Sequence, residues 1–314
     1  MIETRLNISI IGFGGIGKTI AFDLISQQKP YNLNIIDCDE NVKGALLDLK
    51  QANQINRSCE ISYNDFDLLE KSDFIFHSAG IGVSKNHDRN SVLHENVRIT
   101  KELFSSRCFK ENCKIIVITN PLDSITYFTW KYSGLSKKQV IGVGTYLDTI
   151  RMNFYLNELS LKNYQSILLG EHGKAIVFIS SLFTKNKERV PSSEIDSSLI
   201  AHCLDQTLNA AHEIKQYGDA SILGVALCAL DIFNHLQSKE GTILPVCTVL
   251  NDQFASKLEV KECAMSLYSS VNKEGAIQQF PLELTEIEQE KLKEAAAKIA
   301  LTIQSAKSID EHQS

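Results

Sequence analysis

LNISIIGFGGIGKT, residues Leu6 to Thr19, runs from an apolar segment (Ile8 to Ile11) through Gly12, Gly14 and Gly17 to Ile20, Ala21, Leu24 and Ile25 at helical spacing. That order predicts a buried strand, a tight turn and a helix. Two motifs overlap in it. Gly12-x-Gly14-x-x-Gly17 is the dinucleotide fingerprint, whose glycines permit the turn, let a pyrophosphate approach the backbone and allow helix to pack on strand. Gly12, four residues and Gly17-Lys18-Thr19 equally fit a P-loop, in which Lys18 would reach terminal phosphates and Thr19 would hold magnesium. Glycines required only by the turn itself are a third possibility.

Downstream, YNLNIID (Tyr31 to Asp37) has the pattern of a second short strand ending in a carboxylate, twenty residues beyond Gly17. A carboxylate there accepts hydrogen bonds from a ribose diol and repels a 2′-phosphate, so Asp37 fits NAD better than NADP. In a P-loop protein the same residue would be a magnesium-binding aspartate. On these residues alone dinucleotide binding leads without excluding its rival.

With 314 residues, 43% of them hydrophobic and 22% charged, the chain has the composition of a soluble globular protein of one large or two ordinary domains. No apolar run approaches a membrane span and MIETRLNISI enters a strand at once, so a cytoplasmic protein without membrane association is expected. The net charge of −6, with basic residues unclustered, argues against a nucleic-acid surface and for small-molecule work. Eight scattered cysteines without a Cys-x-x-Cys pair are expected to be reduced thiols, several of them buried as at Cys228 and Cys247, and no metal site is expected.

Strand and helix patterns alternate as far as residue 144. Helical spacing over 39–55 is followed by strands over 59–63 and 73–79, then by an irregular stretch from Gly80 to Asn90, whose length points to function. A helix over 91–109, a strand over 114–119 ending at Asn120-Pro121, a helix over 123–132 and a strand over 139–143 complete the series. The alternation predicts an α/β fold, a doubly wound Rossmann-type parallel sheet, with ligands at the carboxyl ends of its strands. Beyond residue 144 the pattern changes to helices over 146–159, 195–216, 220–236 and 285–305, a turn or loop over 184–193, and antiparallel strands over 242–250 and 263–271. The expected organisation is a dinucleotide-binding domain over 1–144 and an α+β substrate domain over 145–314.

Three further clusters carry chemistry: TNPLD (Thr119 to Asp123), LDTIR (Leu147 to Arg151) and GEHG (Gly170 to Gly173). With IGFGGIG, IID and SAG (Ser78 to Gly80), they resemble the lactate and malate dehydrogenase family in order and near-family spacing over almost the whole chain. The resemblance settles the opening ambiguity for NAD, since a P-loop protein has no reason to carry the later three.

What the resemblance implies can be set beside the chemistry of each residue. His172 matches the family's acid/base histidine, and imidazole is the side chain that exchanges a proton near neutral pH. Among the other histidines, His77, His94, His202, His212 and His235 are expected to be structural. Asp148 matches the carboxylate that orients this histidine. Arg151, on the same helix face, matches the arginine that grips the substrate carboxylate through two parallel hydrogen bonds; an internal Asp–Arg helix pair is the plainer account of that spacing. Arg89 falls on the mobile-loop arginine that polarises the reacting carbonyl. Asn120 resembles the asparagine that bonds the substrate oxygen beside the nicotinamide. Ser221, in GDASILGVA, resembles a pocket-lining threonine if one residue is inserted before it. Gly12, Gly14, Gly17, Asp37, Gly80 and Asn120 form the expected cofactor crevice.

Departures from the family bear on substrate. Val83 stands where malate enzymes carry arginine and lactate enzymes usually glutamine, which suggests a 2-oxo or 2-hydroxy acid with an apolar side chain, lactate or a longer one such as 2-hydroxyisocaproate. A malate enzyme would have to read its second carboxylate otherwise, through Lys85 or Lys174. Lys174 also replaces the aspartate usual after GEHG. Asn153 and Gln165 replace the arginine and histidine of enzymes activated by a sugar bisphosphate, so no such activation is expected. The family's usual dimers or tetramers imply a homo-oligomer, with the helix around Val42 to Ala52 as one possible interface.

Overall fold

A computed structural model describes residues 5–82, 89–159, 162–218, 220–278 and 284–310, with the side chains of 89–90 and 308–310 outside that description. The glycine stretch folds as β1 (Leu6–Ile11), a turn and α1 (Gly15–Ser26). Alternation continues through β2 (Tyr31–Ile36), α2 (Val42–Ala52), β3 (Glu60–Tyr63), α3 (Phe66–Glu70), β4 (Phe74–His77), α4 (Arg89–Phe104), β5 (Lys114–Val117), α5 (Leu122–Ser133) and β6 (Val140–Gly142). These six strands pair in parallel in the order β3-β2-β1-β4-β5-β6. The order reverses between β1 and β4, and a doubly wound sheet opens its ligand crevice at that reversal. Burial on both faces explains why β4 and β5 are nearly continuous apolar runs.

The second half comprises α6 (Tyr146–Glu158), β7 (Tyr164–Gln165), β8 (Leu168–Gly170), β9 (Ile176–Phe178), β10 (Thr184–Lys185), β11 (Glu188–Arg189), α7 (Ser197–Gln216), α8 (Leu223–His235), β12 (Thr242–Val249), α9 (Asp252–Lys257), β13 (Ala264–Asn272), β14 (Gly275–Gln278) and α10 (Glu286–Asp310). Its long antiparallel strands extend the first sheet instead of forming a separate one. β12 pairs with β6 at Cys247 and Gly142, and β13, β8 and β9 follow, giving eleven strands with β14 among the described residues. Helix α8 also reaches back, seating Phe233 edge-on against Phe74 at 4.9 Å between ring centroids and beside Tyr31 and Phe76.

Three local expectations are corrected. The segment over 184–193 is not merely a loop: β10 and β11 form a hairpin that joins β7 in a small sheet of its own. The helix expected over 91–109 ends at Phe104, and Phe109 packs back against the core from the irregular segment that follows. Helices α3 and α9 were not anticipated; each is one to two turns long and is capped by a side chain, Asp65 accepting from the Leu68 amide and Asn251 from the Phe254 amide. All eight cysteines are free, with Cys38 and Cys108 exposed. No helix among the described residues is long and apolar enough to cross a membrane.

Candidate active site

At the carboxyl end of β1 the chain turns at Gly12, with φ of +92°. A methyl group there would lie 2.5 Å from the Ala79 amide nitrogen, so the end of β1 packs directly on the chain leaving β4. One at Gly17 would meet the Gly12 carbonyl at 2.0 Å, whereas Gly14 faces open space. Gly14 is also the N-cap of α1, and no side chain caps it. The turn therefore combines an open approach with uncapped helix amides, a cradle that fits the pyrophosphate of a dinucleotide. Thr19, the magnesium ligand of the P-loop alternative, instead donates its hydroxyl to the Gly15 carbonyl within its own helix.

Asp37 follows β2, its Oδ2 accepting from the Phe13 amide at 2.6 Å and its Oδ1 from the Asp39 amide at 2.8 Å. Asn64, at φ of +51°, holds the main chain of Asp37 from the other side. Its Oδ1 accepts from the Asp37 amide and its Nδ2 donates to the Asp37 carbonyl, each at 3.0 Å. The carboxylate is thus fixed beside the glycine turn, where a ribose diol fits. Gly80 packs against Thr119 and Asn96, and Asn96 bonds the Ile81 main chain and the Asn120 carbonyl, joining the ends of β4 and β5. The Asn120 side chain is exposed there.

The second half brings its groups to the same edge. Thr145, the N-cap of α6, and Thr149, next to Asp148, both bond the Leu168 main chain: the Thr145 hydroxyl donates to the Leu168 carbonyl at 2.5 Å, and the Leu168 amide donates to Thr149 Oγ1 at 3.0 Å. This clasp fixes α6 against β8, four residues before His172. Gly170, at φ of +98°, lets the chain leave β8, since a methyl group there would lie 2.8 Å from the Ala175 carbonyl oxygen. On the loop so formed, His172 Nδ1 lies 2.7 Å from Asp148 Oδ2. Arg151 Nη2 donates to Ser221 Oγ at 2.8 Å, and Nη1 stands 3.6 Å from Asp148 Oδ1. Burial disfavours a charged His172, but the charge and hydrogen bond of Asp148 and the charge of Asp123 outweigh it and raise the imidazole to about 9, against some opposition from Arg151.

The arrangement has counterparts in known proteins. Residues 6–142 match the family model described as the NAD-binding domain of lactate/malate dehydrogenase, and residues 145–309 match its alpha/beta C-terminal domain. The chain belongs to the lactate/malate dehydrogenase family. As a member it is an NAD-dependent 2-hydroxy acid dehydrogenase of Rossmann-type α/β fold. Relatives include the L-lactate dehydrogenase of Shouchella clausii, 30% identical over 93% of this chain and 92% of its own length. That of Clostridium perfringens is 28% identical, covering 94% and 96%. Among solved structures, a minor L-lactate dehydrogenase from Enterococcus mundtii superposes with a TM-score of 0.85 at 23% identity, covering 96% of this chain and 99% of its own. The malate dehydrogenase of Cryptosporidium parvum gives 0.84 at 25% identity, covering 97% and 100%.

Within this family frame the structure brings Asp148, Arg151, His172 and Ser221 together in the second half and gathers Gly12, Gly14, Gly17, Asp37, Gly80 and Asn120 at one sheet edge. Among the described residues, two contacts join these groups. A methyl group on Gly15 would lie 2.5 Å from Ile222 Cδ1, which puts the residue after Ser221 over the glycine turn. The His172 amide donates to Asp123 Oδ2 at 2.9 Å, which ties the histidine loop to the helix after Asn120. Val83 and Lys85 lie outside the described residues; Arg89 opens α4, and its side chain lies outside them as well. Lys174 is exposed. Asn153 bonds the Ser166 amide and hydroxyl, a structural use of that position.

Asp123 was missed as a site residue although it lies within TNPLD. An acidic residue in the first turn of a helix is explained by the helix dipole alone, and nothing local signals a partner 49 positions away. Thr145 and Thr149 were missed for the same reason, their bonds to Leu168 crossing 23 and 19 positions.

Proposed function

We propose that the chain interconverts a small 2-oxo monocarboxylic acid and its L-2-hydroxy acid, with His172 as acid/base, Asp148 as its orienting carboxylate and Arg151 as the clamp on the substrate carboxylate. The observation carrying this is the short Asp148–His172 pair beside Arg151 on the same helix face. With Nδ1 engaged by Asp148, Nε2 is the nitrogen that exchanges a proton with substrate. Bound NAD supplies or accepts the hydride. Arg151 presents a planar fork suited to a carboxylate, with Ser221 steadying one arm. Arg89 is assigned to polarise the carbonyl and Asn120 to bond its oxygen, on family resemblance.

A monocarboxylate is favoured by Val83, whose side chain offers no charge to a second carboxylate, and by relatives named L-lactate dehydrogenase. The solved malate dehydrogenase supports the rival substrate. NADH oxidation with pyruvate, 2-oxoisocaproate and oxaloacetate separates them, since preference for oxaloacetate would overturn the monocarboxylate assignment. His172→Asn should abolish turnover and leave NADH binding intact, and full activity in that variant would refute the histidine's role. We further propose that residues 1–144 and 145–314 act as cofactor and substrate domains, that sugar bisphosphates do not activate, and that the protein is a cytoplasmic homodimer or homotetramer. Exposed Phe22, Leu47, Ile150, Leu223 and Leu227, spread over α1, α2, α6 and α8, support an interface between copies. Light scattering tests the oligomeric state.

A further inference from the structure

One carboxylate at the histidine loop has no part in the proton transfer just described. Asp123, in the first turn of α5, is 5% exposed. Its Oδ2 accepts the His172 amide, and the weak Cys247 thiol is the other donor beside the carboxylate, whose buried Oδ1 has no partner of ordinary hydrogen-bond geometry. Burial drives its pKa up to about 6, opposed by the charge on His172 and by the hydrogen bonds from the His172 amide and the Cys247 thiol. A buried, half-satisfied carboxylate is costly, and an amide of the same shape would serve the His172 amide without that cost. The charge itself therefore needs a use. Around Asp123 stand Cys247 from β12 and Cys263 just before β13, thiols whose burial keeps them neutral, and Glu171, another acid. The cation it faces is the His172 imidazole, which Asp148 and Arg151 face from α6.

We propose that Asp123 is a positioning residue, holding the histidine loop by its backbone amide on the end of the parallel sheet and supplying a second negative charge that keeps the imidazole protonated as the 2-oxo acid binds. This rests on His172 being the acid/base group. Asp123 does not touch the ring, and it acts through the loop and through space. It differs in this from Asp148, whose carboxylate bonds Nδ1 directly.

The test is Asp123→Asn, which keeps the shape and an acceptor for the amide and removes only the charge, beside Asp123→Ala, which removes both. In Asp123→Asn the basic limb of the pH profile for 2-oxo acid reduction should move down by about one unit, so that kcat/KM falls about fivefold at about pH 9 and progressively less below it. NADH affinity should match the parent. In Asp123→Ala kcat should fall across the whole range, because the loop itself loosens. With the buried charge gone, Asp123→Asn should unfold on heating no earlier than the parent above about pH 7. An unmoved basic limb would overturn the proposal. So would an Asp123→Asn protein that melts well below the parent or does not fold, since the carboxylate would then be structural. His172→Asn separates the two levels: if it stays active the histidine assignment fails, and if it is dead while the Asp123→Asn limb is unmoved, only the role of Asp123 fails.

Discussion

Replacing Asp148 by asparagine removes one charge and changes little shape, so its effect can be worked from the geometry. In the parent, His172 Nδ1 lies 2.7 Å from Asp148 Oδ2, and Asp148, with help from Asp123, overcomes burial to raise the imidazole from 6.5 to about 9. At about 1.4 kcal/mol per pH unit, that rise favours the imidazolium by about 3.5 kcal/mol. Without the carboxylate, burial pulls the imidazole back to its ordinary range or below. At about pH 7.5 the protonated fraction then drops from nearly all to about one tenth, and reduction slows at least about tenfold from protonation alone. Asparagine also holds the ring less well, which adds to the loss at every pH. The assay is loss of NADH absorbance with a 2-oxo acid, followed across pH. The basic limb should move from about 9 to about 6.5 or lower, a shift that a mere loss of folded protein does not produce. Stability follows the same linkage. The folded-state value lies above the unfolded one, so the stabilisation is complete below 6.5 and is lost as pH rises through about 9. The parent's melting temperature should fall over that window and that of Asp148→Asn should not. An Asp148→Asn enzyme whose basic limb stays where the parent's is would refute the reasoning, whatever its absolute rate.

Arg151→Lys replaces a two-pronged contact with a point charge. Losing one charge-assisted hydrogen bond costs about 1.5–3 kcal/mol, so kcat/KM for the 2-oxo acid should fall roughly tenfold to a hundredfold in steady-state assays, with NADH binding unchanged. Asn64→Gly keeps the left-handed backbone and removes the amide that brackets Asp37. KM for NADH should rise about fivefold while kcat stays level, as expected for hydrogen bonds worth about 1 kcal/mol that act on binding alone. Kinetics at saturating 2-oxo acid check it.

Legibility in the sequence followed the distance over which each interaction acts. Gly12, Gly14, Gly17 and Asp37 were readable because turn, helix start and strand end lie within one strand–helix–strand unit. Asp148 and Arg151 were readable because three residues bring two side chains to one helix face. His172 carried no local signal beyond its neighbours Glu171 and Gly173, and its assignment depended on clusters elsewhere in the chain. The continuation of the sheet through a pairing of Cys247 with Gly142 left no trace in either segment, because any buried strand can serve as a neighbour. The hairpin β10–β11 has strands of two residues, too short for alternation to register. Asp123 shows the limit most plainly: its residue type suits a helix N-terminus, and only the fold reveals that its acceptor is spent on the histidine loop.

The charges around His172 also decide how its titration changes when substrate arrives. Arg151 depresses the imidazole, opposing Asp148 and Asp123. A substrate carboxylate seated on Arg151 neutralises that guanidinium and brings a negative charge of its own to the site, and both changes favour the protonated ring. In the complex with the 2-oxo acid and the reduced cofactor, His172 should therefore hold its proton to higher pH than in the free enzyme. Since kcat/KM reports the free enzyme and kcat the complex, the basic limb of kcat for reduction should lie above that of kcat/KM, and so above about 9. Arg151→Lys gives the converse check, because an ammonium that meets the carboxylate less closely should narrow the gap between the limbs. A kcat limb at or below the kcat/KM limb would mean that the substrate carboxylate is not neutralised at Arg151 and binds elsewhere.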